Sequence, residues 1–263
     1  VYREGDIVIH ETAIIHPSAR IGKDVTIGPW TIIGENVEIG DGTWIGPHVV
    51  IQGPSKIGKN NKIFQFSSVG ESPQDKKYRG EPTTLEMGDN NVIREFCTLN
   101  RGTTQGTGVT RIGNNNLLMA YVHIAHDCEV GNNTIFANSS SLAGHVQVDD
   151  FANLGGYVGV FQFCRLGAYS FTTGASMVVK DVPPFVKVSG NYAKPYGLNT
   201  VGLKRHGFTE DMLIYLKRAY KTIYRKGLTV KQAMEELRRM TQDCIEINQL
   251  IEFIEASSSG IVR

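Results

Sequence analysis

Cysteine is scarce in this chain: Cys97, Cys128, Cys164 and Cys244 are scattered over 263 residues with no C-x-x-C pair. That spacing argues against a zinc knuckle or a disulfide framework, and Cys128 and Cys164 read as core-wall residues. Net charge is nearly absent, at +1, so composition supplies no pull toward nucleic acid or a charged membrane surface. No span approaches ~18 apolar residues, so no transmembrane helix is expected. The opening Val1-Tyr2-Arg3-Glu4-Gly5-Asp6 holds no apolar signal run. Together these absences predict a reduced, cytoplasmic protein. Neither a 3.6-residue nor a two-residue hydrophobic period runs through the first two thirds of the chain.

A six-residue beat stands in their place. Aliphatic residues recur at Ile9, Ile15, Ile21, Ile27, Ile33, Ile39, Ile45, Ile51, Ile57, Ile63 and Val69. The beat returns at Met87, Ile93 and Leu99, then resumes shifted by one from Ile112 through Leu118, Ile124, Val130, Phe136, Leu142, Val148, Leu154 and Val160 to Leu166. Glycine often follows it, as at Gly22, Gly28, Gly40, Gly58, Gly113 and Gly131. Hexapeptide repeats are the signature of a parallel β-helix. Each hexad is a short strand plus a corner, and the beat residue points into the prism. One coil cannot bury its inner face alone, so the array is stable only as a stack. Each buried aliphatic contributes roughly 1.5–3 kcal/mol before ordering entropy is charged. The glycine after the beat is expected to turn the corner with unusual backbone angles.

Two polar stretches interrupt the beat, 71–86 (ESPQDKKYRGEPTTLE) and 102–111 (GTTQGTGVTR). In a solenoid such insertions project as loops from one corner, and long loops on a rigid scaffold tend to carry function. The repeat fades after Val178, giving a β-helix over 1–189 and a C-terminal helical domain over 190–263, with a linker-like stretch at 190–199. Thr209 caps a helix carrying Met212, Leu216, Ala219 and Ile223 that ends at Gly227. Thr229 and Gln232 form a capping box for a second helix. A third runs from about Cys244 to Ala256.

Chemistry gathers around His123-Ile-Ala-His126-Asp127-Cys128. If each coil uses three hexads, residues eighteen apart stack at ~4.8 Å. His126, Gly144 and Gln162 then form one column, and Asp127 and His145 the next. A histidine beside a carboxylate, with a glycine N–H above it, supplies a base, an orienter and an oxyanion donor. A solvated corner histidine is the plain alternative.

The run LLMAYVHIAHDCEVGNNTIFANSSSLAGHVQVDDFANLGG, preceded by GESPQDKKYRGEPT and followed by VFQFCRLGAYS, KDVPPFV and GLNTVGLKRHGF, closely resembles the UDP-N-acetylglucosamine O-acyltransferase family of lipid A synthesis. The resemblance spans nearly the whole chain, both loops and helical tail included. It implies a left-handed parallel β-helix with a helical C-terminal domain, assembled as a homotrimer with sites between subunits. It implies transfer of an (R)-3-hydroxyacyl group from acyl carrier protein to the 3-hydroxyl of UDP-GlcNAc, with no metal, cofactor or covalent intermediate. By the same resemblance His126 is the general base, Asp127 its orienter and the Gly144 N–H the oxyanion donor. His123 and His145 match substrate-binding histidines, and Asp75 and Lys77 match residues reaching the substrate from the partner subunit. Gln162, Asn199 and Arg205 match further contacts to donor or nucleotide. Gly174 matches the position that sets acyl-chain length, and glycine there implies a long donor.

The chain departs from the family pattern at three places. Phe161 stands where a histidine is common, Val201 where an acidic residue is common, and Asn100 replaces the histidine of an H-R-G-T element. These departures leave room for the 3-amino analogue of UDP-GlcNAc as acceptor, which would give an amide. Two other classes are consistent with parts of the sequence. One is a zinc hydratase like the γ-class carbonic anhydrases, with His123, His126 and His145 as ligands. The other is a non-catalytic solenoid scaffold.

Overall fold

The computed structural model describes residues 8–263; the opening Val1–Asp6, in which no signal run is expected, lies outside them. Short strands wind into a left-handed parallel β-helix with three faces. Face I begins at Val8–Ile9 and takes every third strand to Phe171–Thr172, face II runs from Ile14–Ile15 to Met177–Val178, and face III from Arg20–Ile21 to Arg165–Leu166. Through Met177–Val178 partners lie eighteen residues apart wherever no loop intervenes, as in Thr26↔Trp44 and His123↔Ser141, and the last coil is shorter, with Phe171 opposite Lys187. Two steps are longer, Ser68↔Thr98 and Thr98↔His123. They take up the two interruptions, and both loops leave the corner between faces II and III.

The beat residues fill the interior: Ile27, Ile45, Ile63, Ile93, Leu118, Phe136 and Leu154 are all fully buried. The first described coil is less covered, with Ile9 exposed and Ile15 and Ile21 half-buried. A second inward position, two residues before each beat, completes the core with smaller side chains, among them Val25, Thr43, Asn61, Cys97, Val122, Cys128 and Cys164. All four cysteines are buried free thiols. Where this position is asparagine it ties coil to coil. Asn61 Oδ1 accepts from Asn91 N–H at 2.8 Å, Asn91 Oδ1 from Asn116 N–H at 2.9 Å, and Asn116 Oδ1 from Thr134 N–H at 2.8 Å.

Apart from Gly70 (φ 74°), the glycine after the beat plays a different part from the one expected. Positive φ falls two residues later, on side-chain-bearing residues such as Asn36 (54°), Asn60 (54°) and Asp127 (58°). The glycine is needed for close approach of coils: a Cβ at Gly40 would stand 2.6 Å from the carbonyl carbon of Gly58.

The faces differ in chemistry. Outward positions of face III carry Arg20, Glu38, Lys56, Glu86, Arg111, Glu129, Gln147 and Arg165 in register, a ladder of mostly alternating charge. The positions just before each beat on face II hold no charged acid or base other than His123: Ile14, Ile32, Val50, Ser68, Thr98, Ser141, Gly159 and Met177. Along the corner between faces I and II, Trp30, His48, Phe66, Phe96 and Tyr121 form a continuous ring stack with centroids 4.9–5.2 Å apart.

The stretch read as a linker is a strand. Lys194–Leu198 pairs antiparallel with Val186–Ser189 and so stitches the last coil to the helices. Four helices follow: α1 (Thr200–Arg205), which the sequence reading missed, α2 (Glu210–Tyr224), α3 (Val230–Met240) and α4 (Ile247–Glu255). Thr209 caps α2, and the Thr229–Gln232 capping box is present at α3. Leu203, Leu213, Leu216, Leu237, Ile247 and Leu250 pack into their own core together with Phe185 of the solenoid end. No helix among the described residues is long and apolar enough to cross a membrane.

Candidate active site

Stacking in threes of six residues places the chemistry as the spacing predicts. His145 N–H donates to the His126 carbonyl at 3.0 Å and Phe163 N–H to the Gly144 carbonyl at 3.2 Å, so the corner residues of successive coils lie over one another. His126 Nδ1 lies 2.8 Å from Asp127 Oδ2. A carboxylate only accepts, so Nδ1 carries a proton, and in the neutral ring Nε2 keeps its lone pair. Nε2 has no hydrogen-bond partner among the described residues. Gly144 lies against the ring: a Cβ there would come within 2.6 Å of Cε1 and 2.8 Å of Nε2. Among the described residues the buried Gly144 N–H meets no protein acceptor.

His145 stands edge-on to His126, with centroids 5.1 Å apart, and stacks on Phe163 at 4.6 Å. Its Nε2 is 3.8 Å from Asp127 Oδ2. Burial lowers the His145 pKa, Asp127 raises it, His126 lowers it and Asp75 raises it, with a net lowering. His123 projects from face II and shares a 2.7 Å hydrogen bond between Nδ1 and Thr98 Oγ1. Burial, with the neighbouring His126, holds its pKa below the usual imidazole value.

Asp127 is enclosed by the second loop. Thr103 N–H donates to both carboxylate oxygens at 3.0 and 3.1 Å, and the Thr103 hydroxyl to Oδ2 at 2.6 Å. Thr110 Oγ1 accepts from Asp127 N–H at 2.8 Å. Burial alone would push this carboxyl up. The Thr103 and His126 hydrogen bonds and the nearby His145 outweigh it and hold Asp127 below the ordinary carboxylate range. The eighteen-residue rule did not find Thr103, because the loop breaks phase. The same rule applied to His145 does lead to Phe163.

The first loop belongs to the same corner and is clamped at its base. Arg101 donates to the carbonyls of Gly53 and Gly70, and Asn100 Nδ2 to those of Glu71 and Ser72. The Asn100 departure is thus engaged in holding the loop. Asp75 stands within electrostatic reach of His145 in its own chain. Lys77 is exposed, and its N–H donates to Asp75 Oδ1 at 2.9 Å. Gln162 and Phe161 are exposed on the coils above His126.

Three of the expected residues lie elsewhere in the chain. Asn199 caps α1, accepting from Gly202 N–H at 3.2 Å and donating to the Tyr169 carbonyl at 3.0 Å. Arg205 ends that helix, and both sit at the corner between faces III and I; Val201 is exposed on the same helix. Gly174 is exposed on the corner between faces I and II, three coils above Ala120, across face II from His126 rather than beside it. A wide groove between face III and α4, lined by Arg111, Glu129, Arg165 and Phe253, includes none of the candidate residues. The three-histidine zinc set is not assembled either. The compact donor cluster is His126, Asp127 and His145, with ligand atoms within 4.8 Å of one another, and the Nδ1 of His123 is turned to Thr98.

The C-terminal residues 181–262 match the family model for domain 2 of UDP N-acetylglucosamine O-acyltransferase, and 6–40, 36–70 and 110–144 match the bacterial transferase hexapeptide model. The acyl-[acyl-carrier-protein]–UDP-N-acetylglucosamine O-acyltransferase of Thiobacillus denitrificans is 57% identical over 255 residues, covering 97% of this chain and 99% of its own length. The chain belongs to this acyltransferase family. The similarly named protein of Halorhodospira halophila is 54% identical over 255 residues, again covering 97% of this chain and 99% of its own. The solved UDP-N-acetylglucosamine O-acyltransferase of Moraxella catarrhalis superposes with a TM-score of 0.95 at 48% identity, covering 97% of this chain and 99% of that one. The Francisella novicida UDP-N-acetylglucosamine acyltransferase gives 0.95 at 44% identity, covering 97% and 94%. Family membership as an acyltransferase sets aside the zinc hydratase and the inert scaffold.

Proposed function

We propose that this enzyme moves an (R)-3-hydroxyacyl chain from acyl carrier protein to the 3-hydroxyl of UDP-GlcNAc, in the cytoplasm, as the first step of lipid A synthesis. The observation that carries the mechanism is the His126–Asp127 pair, with Nε2 free and Gly144 against the ring. Nε2 takes the proton of the sugar hydroxyl as its oxygen attacks the thioester carbonyl. The Gly144 N–H donates to the oxyanion of the tetrahedral intermediate. Collapse breaks the C–S bond, and the imidazolium returns its proton to the leaving thiolate. Asp127 keeps the ring oriented and stabilises its cation. His123 and His145, on either side of His126, are the sugar and phosphate contacts in this reading, with Asp75, Lys77 and Gln162 at the rim.

Assembly as a homotrimer completes the site. Face III is charged and suits water, whereas face II is nearly uncharged and the corner between I and II carries the aromatic stack. Three prisms gathered around that corner would lay face I of one copy on face II of the next. The III/I corner of one copy, with Asn199 and Arg205, then meets the II/III corner of its neighbour, with His126. This arrangement supports a nucleotide held by one subunit and a base supplied by the other.

The relatives are named O-acyltransferases, which favours an ester product over the amide of the 3-amino acceptor. Product analysis with both UDP-sugars and a series of acyl carrier protein thioesters tests the reading. The expected product from UDP-GlcNAc has the mass of one added hydroxyacyl group and is cleaved by mild alkali. Turnover confined to the 3-amino sugar, giving an alkali-stable product, would overturn it.

A further inference from the structure

The second loop reaches the reaction through Asp127. We propose that Thr103 is a positioning residue, whose hydroxyl and N–H aim the Asp127 carboxylate at His126 Nδ1 and thereby keep Nε2 free to act as the base. The inference rests on the acyl-transfer reading above and adds a part that neither the repeat nor the family resemblance assigns.

Thr103 is fully buried and makes three donor contacts to one carboxylate, the shortest of them hydroxyl to Oδ2 at 2.6 Å. Oδ2 is also the atom that His126 Nδ1 meets, so the hydroxyl and the imidazole converge on a single oxygen. The loop is folded around this contact: Gly106 N–H and Gly108 N–H both donate to the Thr103 carbonyl, at 3.1 and 3.0 Å. That turn brings Gly106 against the carboxylate, where a Cβ would stand 2.4 Å from both Cγ and Oδ1. From below, Thr110 accepts the Asp127 N–H. The carboxylate therefore has one orientation open to it. Without the hydroxyl, Oδ2 loses a charge-assisted donor, the carboxylate is free to rotate, and the imidazole proton is no longer pinned to Nδ1. The seven residues this coil has beyond the eighteen-residue repeat make room for the clamp.

The test compares Thr103→Val, Thr103→Ser and Gly106→Ala in the full-length assembled enzyme. Thr103→Val should lower kcat about ten- to a hundredfold, the span of one hydrogen bond to a charged group, with KM for UDP-GlcNAc little changed. Thr103→Ser, which keeps the hydroxyl, should restore most of kcat. Nitrogen NMR of labelled histidine should show His126 protonated at Nδ1 in the parent and shifted toward the Nε2–H tautomer in Thr103→Val. Gly106→Ala, which presses on the carboxylate with Thr103 intact, should move kcat and tautomer the same way. In an Asp127→Asn background Thr103→Val should cost nothing further. If Asp127→Asn lowers kcat but both loop variants leave kcat and tautomer unchanged, the clamp is refuted and the dyad stands. If Asp127→Asn itself has no effect on kcat, the dyad reading fails first.

Discussion

Gly144 and His126 are in contact across one turn of the helix, so close that a methyl group on Gly144 would overlap the imidazole at 2.6 Å. The glycine is thus fixed by the ring beneath it, and its φ is not in the left-handed region. Gly144→Ala should fold normally and tilt the ring away from the acceptor. A misplacement of about 1 Å costs on the order of a hundredfold in rate. Steady-state kcat with melting temperature as control checks this; a full-rate alanine variant would mean that the ring does not work from this position.

The beat, the prism, the two loops and the His126–Gly144 and Asp127–His145 columns were all legible in the sequence. One periodic rule, side chains eighteen apart stack, carries them. What was not legible follows from breaks in that rule. Thr103 lies 24 residues from Asp127 because an insertion intervenes, and Lys194–Leu198 became a strand by pairing antiparallel outside the repeat. The glycine rule was misassigned because close approach between coils and positive φ leave similar traces in sequence but fall on different corner residues.

Subunit complementation separates the two corners of the proposed trimer. Arg205 and His126 lie on different corners of their own chain. Co-assembling His126→Ala subunits with Arg205→Ala subunits should therefore restore activity at the mixed interfaces that pair two intact corners. Activity assays on purified mixed trimers check this. No recovery with the Arg205 pair would place both residues in one chain's site.

The acyl chain has a measurable path. Gly174 lies three coils beyond the coil of His126, about 14 Å along the axis at ~4.8 Å per coil, and Ser141, Gly159 and Met177 line the uncharged face between them. A Cβ at Gly174 would meet the Gly156 carbonyl oxygen at 3.2 Å, tight but attainable. Gly174→Met should close the far end and favour shorter donors. Each excluded methylene forfeits roughly 0.8 kcal/mol, so a donor losing four carbons of contact should weaken about a hundredfold or more. The profile of kcat/KM over ten- to sixteen-carbon donors reads this directly. An unchanged profile assigns chain length to another residue.

Folding stability should depend on pH through the two flanking histidines. Burial holds His123 and His145 below the ordinary imidazole value of 6.5, so the unfolded chain takes up protons there before the folded one does. Their contribution is complete above about pH 6.5 and is lost as pH falls through the lower folded values. Asp127 contributes in the same sense only at far more acidic pH, below its ordinary value of 3.8. Urea midpoints should fall from pH 7.5 to pH 5.5, and His145→Gln should flatten that slope. An identical slope in the variant would mean that the buried imidazole is not resisting protonation.

The central claim is that His126 removes the proton of the sugar hydroxyl. Its most direct test is the single-turnover rate of His126→Ala, with product mass as the readout and circular dichroism confirming the fold. The ring lies outside the core and its Nε2 has no partner among the described residues, so the variant should fold. Loss of a general base should slow acyl transfer by about 10²–10⁴-fold, with UDP-GlcNAc still bound. Transfer at close to the parent rate in a correctly folded His126→Ala enzyme would contradict the assignment.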